Sequence, residues 1–472
     1  MKKVCTTMLL LMVIVSTIAA QSVPIDLGLS TKPPVVFDFP EQHQSVLFFY
    51  SAFGGEAHFQ AVEVNDALKV LRTSDLKTLQ AKKTSDKIKI IGTFRPKGSQ
   101  QLWVFLSVGK KEIWQAVIDR TNFTLTVEQR MKNPSKSQLV TGREESDKFY
   151  LVFRQRSKRK GGKLIVYESS DGPTFTEHIV PINKSLRMFE KKYLPLVPQK
   201  DIELDPATAS STKNKIYFSN NKMYFVADTV VQLYGYPVSR TVVSWLDLNT
   251  YTMSHGLFNC FEKQQQVEND VSSCVYDDKL FQMCITMDTF VLKIINLSDK
   301  KLLFSKTLGK NDSISELLNT RMVMPAEQLL EVDRTFGSTR KLTRKMLRLD
   351  PFIQVRKSGD NYLVGMGGYM ERFIPTKSGG VGPANIPLGV TTGGYSVKRS
   401  AFFYSQIHAT DFSHTDGWLP HNFQQQIGNI VDDETGVFTL ARARGTFRFG
   451  GANWFGYYSK RSDRYIFHKL ED

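Results

Sequence analysis

The chain has 472 residues, 41% of them hydrophobic and 23% charged, and a formal net charge of +16. That length excludes a single small core and leaves either two or three ordinary domains or one large repeat domain. The basic excess favours anionic partners, such as phospholipid or lipopolysaccharide surfaces, acidic glycans or an acidic protein face. Nucleic acid is not expected, because no recognition motif accompanies the charge.

Lys2 and Lys3 precede an apolar run from Met8 to Val15 and the small residues Ser16-Thr17-Ile18-Ala19-Ala20. This is the pattern of a secretory signal over residues 1–20, cleaved before Gln21. No later apolar run approaches the 18 residues of a membrane-spanning helix, so no transmembrane segment is expected in the mature chain. Residues 21–44, with Lys32-Pro33-Pro34 and Phe39-Pro40, read as an irregular extended segment. From Ser45 onward the chain reads as short β-rich runs broken by Gly, Asn, Asp and Ser. Ile88 to Phe94, Leu102 to Val108, Glu112 to Ile118 and Phe123 to Gln129 predict a four-stranded meander. Phe149 to Arg154, Lys163 to Tyr167 and Thr174 to Val180 open a third unit, whose middle hairpin carries Lys158, Arg159, Lys160 and Lys163. After a Pro-containing insertion at 184–212, two further units follow. They share the series Asn221-Lys222-Met223-Tyr224 and Asp278-Lys279-Leu280-Phe281, which Asp147-Lys148-Phe149-Tyr150 matches.

Residues 313–349 change character and predict short helices. The stretch Lys341 to Arg348 has apolar residues at helical spacing and a basic face that includes Arg344, Lys345 and Arg348, which either lies on an anionic surface or faces water from a rim-packed helix; these three, with Lys158, Arg159, Lys160 and Lys163, are the candidate binding residues. Residues 367–400 hold Gly379-Gly380-Val381-Gly382-Pro383 and Thr391-Thr392-Gly393-Gly394, which read as a Gly-rich loop; no phosphate-loop lysine follows. Strand character resumes at Ala401, and the chain closes on an aromatic-rich unit around Phe447, Trp454 and Tyr458.

A turn pattern ties these units together. Trp245 to Met253 reads as strand, tight turn and strand, and similar stretches place anchors at Glu63, Asp119, Glu168, Asp247 and Asn296, which are 56, 49, 79 and 49 residues apart. A period near 50 with four strands per unit predicts a β-propeller. The long interval marks the insertion at 184–212. The prediction is an all-β propeller of about seven four-stranded blades over residues 45–472, with short helical and Gly-rich insertions near 184–212, 313–349 and 367–400. A strand near the N-terminus is expected to complete the last blade and remove its open edge. The repeated acidic anchors are read as turn formers, since Asp and Asn side chains bond nearby backbone N–H groups.

Three cysteines follow the signal. Cys260 and Cys274 close the shortest plausible loop and are the disulfide candidates, leaving Cys284 as a buried thiol. His408, Asp411 and His414, with Asp416, offer metal ligands from one loop; a polar surface loop is the competing reading. No catalytic constellation and no cofactor motif emerge.

Ser169-Ser170-Asp171-Gly172-Pro173-Thr174-Phe175 resembles the Asp-box turn of sialidases and related propellers, one residue short and with Phe for Trp. Thr93-Phe94-Arg95-Pro96 resembles the sialidase Phe-Arg-Ile-Pro motif, also one residue short. The period is similar to that of kelch-like propellers, and the signal resembles export signals common in Bacteroidota, whose uncharacterised envelope proteins the chain resembles in general plan. These resemblances imply a secreted protein of the periplasm or outer-membrane surface. The leading expectation is a non-enzymatic interaction scaffold engaging an envelope protein complex or an anionic surface. The alternative is a glycan-active enzyme, a sialidase-like hydrolase or lyase, or a glycan-binding propeller, with Arg95 and Arg154 as residues to test.

Overall fold

The computed structural model describes residues 21–24, 32–53, 55–80, 87–109, 111–155, 162–182, 214–233, 236–261, 269–320, 338–378, 391–417, 430, 441–459, 462 and 464–470. The expected signal and the insertion at 184–212 lie outside them. The fold is all-β, of the β-propeller type, and its described strands form seven meandering sheets. The segment 21–44 is not irregular throughout, because it supplies two strands, β1 (Gln21–Pro24) and β2 (Val35–Phe39).

The first sheet takes β2, β3 (Gln44–Phe53), β4 (Glu56–Asn65), β5 (Val70–Thr73) and β6 (Lys77–Gln80). β5 and β6 both lie against β4, at Val62–Val64 and Glu56–Phe59, so they are one outer strand interrupted in the middle. Ser74 spans the interruption: its Oγ accepts from Ala61 N at 2.9 Å, and its own N donates to Ala61 O. The second sheet is β7 (Ile88–Phe94), β8 (Gln101–Val108), β9 (Glu112–Asp119) and β10 (Thr124–Lys132). The third is β11 (Ser137–Glu145), β12 (Lys148–Gln155), β13 (Lys163–Ser169) and β14 (Thr176–Pro181). The fourth holds β15 (Asn214–Ser219), β16 (Lys222–Leu233), β17 (Tyr236–Asp247) and β18 (Met253–Asn259). The fifth holds β19 (Asn269–Tyr276), β20 (Lys279–Thr286), β21 (Thr289–Asn296) and β22 (Leu302–Gly309). The sixth has three described strands, β23 (Asp350–Ser358), β24 (Asn361–Ser378) and β25 (Thr391–His408). The seventh combines β26 (Ala441–Phe449), β27 (Ala452–Ser459) and β28 (Arg464–Leu470) with β1, which pairs antiparallel to β28 from Gln21↔Phe467 to Pro24↔Arg464. The N-terminal strand therefore completes the last sheet, as expected.

The series Asn-Lys, Asp-Lys and Asp-Lys marks the first hairpin of a sheet. Ser146-Asp147, Asn220-Asn221 and Asp277-Asp278 each place two consecutive residues at positive φ between strands paired right up to the turn, and Gly450-Gly451 does the same in the seventh sheet. That is the two-residue hairpin turn whose twist matches the strands, and Asn, Asp and Gly bear it at least cost.

The described residues within Met1–Gln155, Ile165–His178 and Phe423–Asp472 form one compact unit, and those within Arg156–Leu164 and Ile179–Asn422 a second. In the first, successive sheets bury apolar faces against each other. Phe48 and Phe59 meet Leu102, Val104 and Ile118; Phe94 and Phe105 meet Phe149 and Phe153; Leu47 and Phe49 meet Phe449, Tyr465 and Phe467. In the second, one cluster runs through Tyr224, Val243, Phe281, Leu292, Ile294, Tyr362, Val364 and Phe403. Both faces of a middle strand are covered, so β20 is a nearly unbroken buried run after Lys279. Inner strands β7 and β11 approach so closely that a Cβ on Gly92 would lie 2.7 Å from Gly142 O, which only glycine tolerates.

Candidate functional site

The recurring acidic anchor is a turn device. Asp247 Oδ1 accepts from Asn249 N (2.8 Å) and Thr250 N (3.0 Å), while Tyr251, at φ 55°, donates its N–H to Asp247 O. Asp119 accepts from Thr121 N ahead of Phe123 at φ 57°, and Asn296 from Ser298 N ahead of Lys300 at φ 60°. In the first sheet the equivalent residue is Asn65, not Glu63, because Asn65 Oδ1 takes the N–H groups of Ala67 and Lys69. Glu63 is instead buried in mid-strand, where it pairs with Arg72 (2.7 Å) and Arg120 (3.0 Å). Those two guanidinium groups outweigh the cost of burial and hold its carboxyl below the usual range. Glu168 pairs with Lys148 at 2.8 Å. The turn in the third sheet belongs to Ser169 and Asp171: Ser169 Oγ accepts from Gly172 N and Asp171 Oδ1 from Thr174 N, each at 2.9 Å.

The proposed metal loop repeats the Asp247 turn in the sixth sheet. His408 N donates to Ser413 O, Phe412 N donates to His408 O, and Phe412 sits at φ 61°, as Tyr251 does after Asp247. Asp411 Oδ1 accepts from Ser413 N and Oγ. His414 turns away to bond Asn319 Oδ1 through Nε2 at 2.8 Å, and burial lowers its pKa. Among the described residues no three His, Cys, Asp or Glu side chains are grouped to hold a metal ion, so the His408–Asp411–His414 assignment is withdrawn.

The disulfide assignment also changes. Cys260 bonds Cys284, and Cys274 is the buried free thiol, its pKa pushed up to about 11 by burial. Strand alternation is the reason. Cys284 stands opposite Val271, and Cys274 comes three residues after Val271, hence on the other face of the sheet. Cys260 packs with Val271 and Cys284, whereas Cys274 belongs to the main core of the second unit.

Of the basic candidates, Lys158, Arg159 and Lys160 lie outside the described residues, and Lys163 opens β13, half-buried. Arg344, Lys345 and Arg348 belong to helix α1 (Thr339–Met346) and the residues just after it. Its Leu342 and Met346 are fully buried, and its Lys341 and Arg344, like Arg348 beyond it, are exposed. The helix therefore buries its apolar face and leaves its basic face in water. Arg340 pairs with Asp288 at 3.0 Å; Lys341, Arg344, Lys345 and Arg348 pair with no described carboxylate.

The stretch 367–400 is not a structureless loop. β24 and β25 are 18 residues each and stay in register from Asn361↔His408 to Ser378↔Thr391; residues 379–390 lie outside the described ones. β23 pairs with β24 only as far as Tyr369, so from Met370 the hairpin continues without β23 alongside. Gly367 belongs to the strand for a packing reason, since a Cβ there would fall 2.3 Å from Ala401 O.

Three features gave no sequence signal. Asn319, fully buried, seals the outer edge of β25. Its N donates to Tyr404 O and its Oδ1 accepts from Gln406 N, while its Nδ2 donates to Thr415 O (2.6 Å) and Gly417 O (2.7 Å). In the fourth sheet, facing the fifth, buried Lys215 and Asp228 lie 3.9 Å apart. Lys215 Nζ donates to Ser272 Oγ and Ser273 O, and Asp228 accepts from Thr241 Oγ1 and Ser273 N. In the first unit, burial raises the Glu144 carboxyl to about 7, although it accepts from Arg95 N at 3.3 Å. The Arg95 guanidinium donates to Asp38 O at 3.1 Å and lies over the Phe39 ring. Arg154 is buried in β12.

No family model and no curated protein matches the chain. Similar solved structures include an ACO/RPE65 chimera (10% identity, TM-score 0.31, 58% of this chain), of whose length the chain spans 61%. Others are the Vanderwaltozyma polyspora Nup133 β-propeller domain (11%, TM-score 0.31, 62% of this chain and 77% of that one) and the WD40 domain of SCAP from fission yeast (9%, TM-score 0.29, 83% and 99%). The fold class stands on the chain's own seven sheets. Among the described residues no helix is long and apolar enough to cross a membrane.

Proposed function

We propose that the chain is a non-enzymatic interaction scaffold of the bacterial cell envelope, a kelch-like propeller exported to the periplasm or outer-membrane surface, where it joins a protein complex. The observation that carries this reading is the β24–β25 ribbon, which runs eight paired residues beyond Met370, from Glu371↔Lys398 to Ser378↔Thr391, without β23 alongside. A two-stranded ribbon is marginal by itself in water, so a surface that covers it supplies what the sheet does not. The turn residues support the same reading, since Asp119, Asp247, Asn296 and Asp411 already serve their own turns. A mild-detergent pull-down with mass spectrometry tests the proposal. Specific partners are expected with the intact chain. A protein that stays monomeric and partner-free in envelope extracts would contradict it.

A second reading rests on Glu144. A carboxyl raised to about 7 beside Arg95 can exchange a proton near neutrality, which suits an enzyme acting on acidic glycans. Turnover of sialosides or uronates that is abolished by Arg95→Ala would favour it over the scaffold.

A further inference from the structure

The basic helix and the ribbon share one corner of the second unit. Thr343 Oγ1 donates to Met287 O at 2.8 Å, and Met287 itself is 41% exposed. On β24, a Cβ on Gly368 would come within 2.7 Å of Leu349 Cβ, so the strand passes directly against the end of the helical stretch one residue before β23 stops pairing. Residues 339–348 hold five basic and no acidic residues, and the ribbon positions 370–378 and 391–399 hold four basic and one acidic. Together these 28 residues carry a net +8, half of the chain's +16.

We propose that this corner docks on the phosphate-bearing headgroups of an anionic lipid bilayer. The inference rests on the scaffold reading only for bringing the protein to a membrane. Lys341, Arg344, Lys345 and Arg348 meet no described carboxylate, so their field is open to an outside anion. Each basic residue held near an anionic bilayer is worth roughly a fivefold gain in binding. The ribbon intersperses its cations with Met370, Phe373, Ile374, Tyr395 and Val397, a composition suited to the headgroup boundary, where apolar and charged groups are both accommodated. A soluble polyanion would satisfy the charge but gives no reason for that apolar content.

The test is sedimentation of the mature full chain with vesicles of phosphatidylcholine, with and without about one third phosphatidylglycerol. Binding is expected to be at least ~100-fold tighter with the anionic lipid and to fall steeply in high salt. The triple variant Lys341→Glu, Arg344→Glu, Arg348→Glu should lose about 100-fold while its thermal unfolding stays unchanged, and replacing 371–398 with a two-residue turn should weaken binding separately. Equal binding to both vesicle types, wild-type affinity in the triple variant, or equally tight binding of soluble polyglutamate would overturn the proposal. If vesicle binding fails but the pull-down still recovers a partner, the scaffold reading stands and the lipid inference falls. Lipid binding with an empty pull-down gives the reverse.

Discussion

The fifth and sixth sheets follow one plan and diverge at two places. Both have a tight first hairpin, at Asp277-Asp278 and Gly359-Asp360, and both leave the third strand through the same turn, anchored at Asn296 and at His408. The fifth is regular, four strands of eight residues each, with Cys284 tied to Cys260. The sixth has no described fourth strand against β25; Asn319 and Thr320 seal that edge with side chains, and the middle hairpin runs on into the ribbon. A blade that obeys the repeat is explained by folding alone. One that breaks it and uses buried side chains such as Asn319 and Thr320 to satisfy an edge needs another reason, and the ribbon supplies one.

The largest expected effect separates the two by their fastenings. Cys284→Ala opens a closed loop of 24 residues in the regular sheet and should cost about 3 kcal/mol in denaturant unfolding, whereas Cys274→Ala should cost clearly less. An opposite ranking would restore the Cys260–Cys274 pairing. Asn319→Ala removes the side-chain part of the seal and leaves Gln406 N of β25 and the carbonyls of Thr415 and Gly417 without their partner, for an expected loss of about 2–3 kcal/mol. Faster amide exchange at Gln406 should accompany it; unchanged protection there would mean that the edge is covered by something else.

Outside both sheets, Glu144 offers a pH-dependent control. Its carboxyl is raised from 4.5 to about 7 in the fold, chiefly by burial, so the folded state holds more protons than the unfolded one between those values. Stability therefore falls as pH rises through about 4.5 to 7, and Glu144→Gln should flatten that fall, by roughly 1–3 kcal/mol at neutral pH. A variant with an unchanged pH profile would remove Glu144 from consideration. The smallest effects sharpen the comparison directly. Asp247→Ala and Asp411→Ala should each cost ~0.5–1.5 kcal/mol, because each deletes a side-chain acceptor of backbone N–H groups within its turn. Zinc should shift the melting temperature of neither the parent nor Asp411→Ala. A zinc-dependent rise in the parent alone would return the His408 loop to metal binding.

Much of the fold was legible because local rules wrote it. Asx turns and two-residue hairpins demand Asp, Asn and Gly at fixed places, so Asp119, Asp247 and Asn296 announced blade boundaries and the strand pattern followed. Glu63 misled because Val62-Glu63-Val64 resembles the Asp119 stretch, while the true turn former stands two residues later at Asn65. Gly367 and Gly368 suggested a loop, yet they are strand residues where β24 crosses Ala401 and Leu349. That requirement comes from distant neighbours and leaves no local trace. The same is true of Asn319, whose partners lie about 85 to 100 residues away in sequence, and of Glu144, whose raised pKa arises from burial by other strands. The candidate site was the least legible part, because it depends on which segments depart from the repeat and not on the repeat itself.

The central claim is that the departures, chiefly the β24–β25 ribbon, carry the interaction. One quantitative pull-down from envelope extracts tests it, comparing the intact chain, Asp247→Ala, and a variant in which Met370 and Arg399 are joined by an Asn-Gly turn. The predicted result is full partner recovery with Asp247→Ala and loss of recovery with the shortened ribbon, whose unfolding should otherwise match the parent. Undiminished recovery with the shortened ribbon would contradict the claim and return attention to the blades.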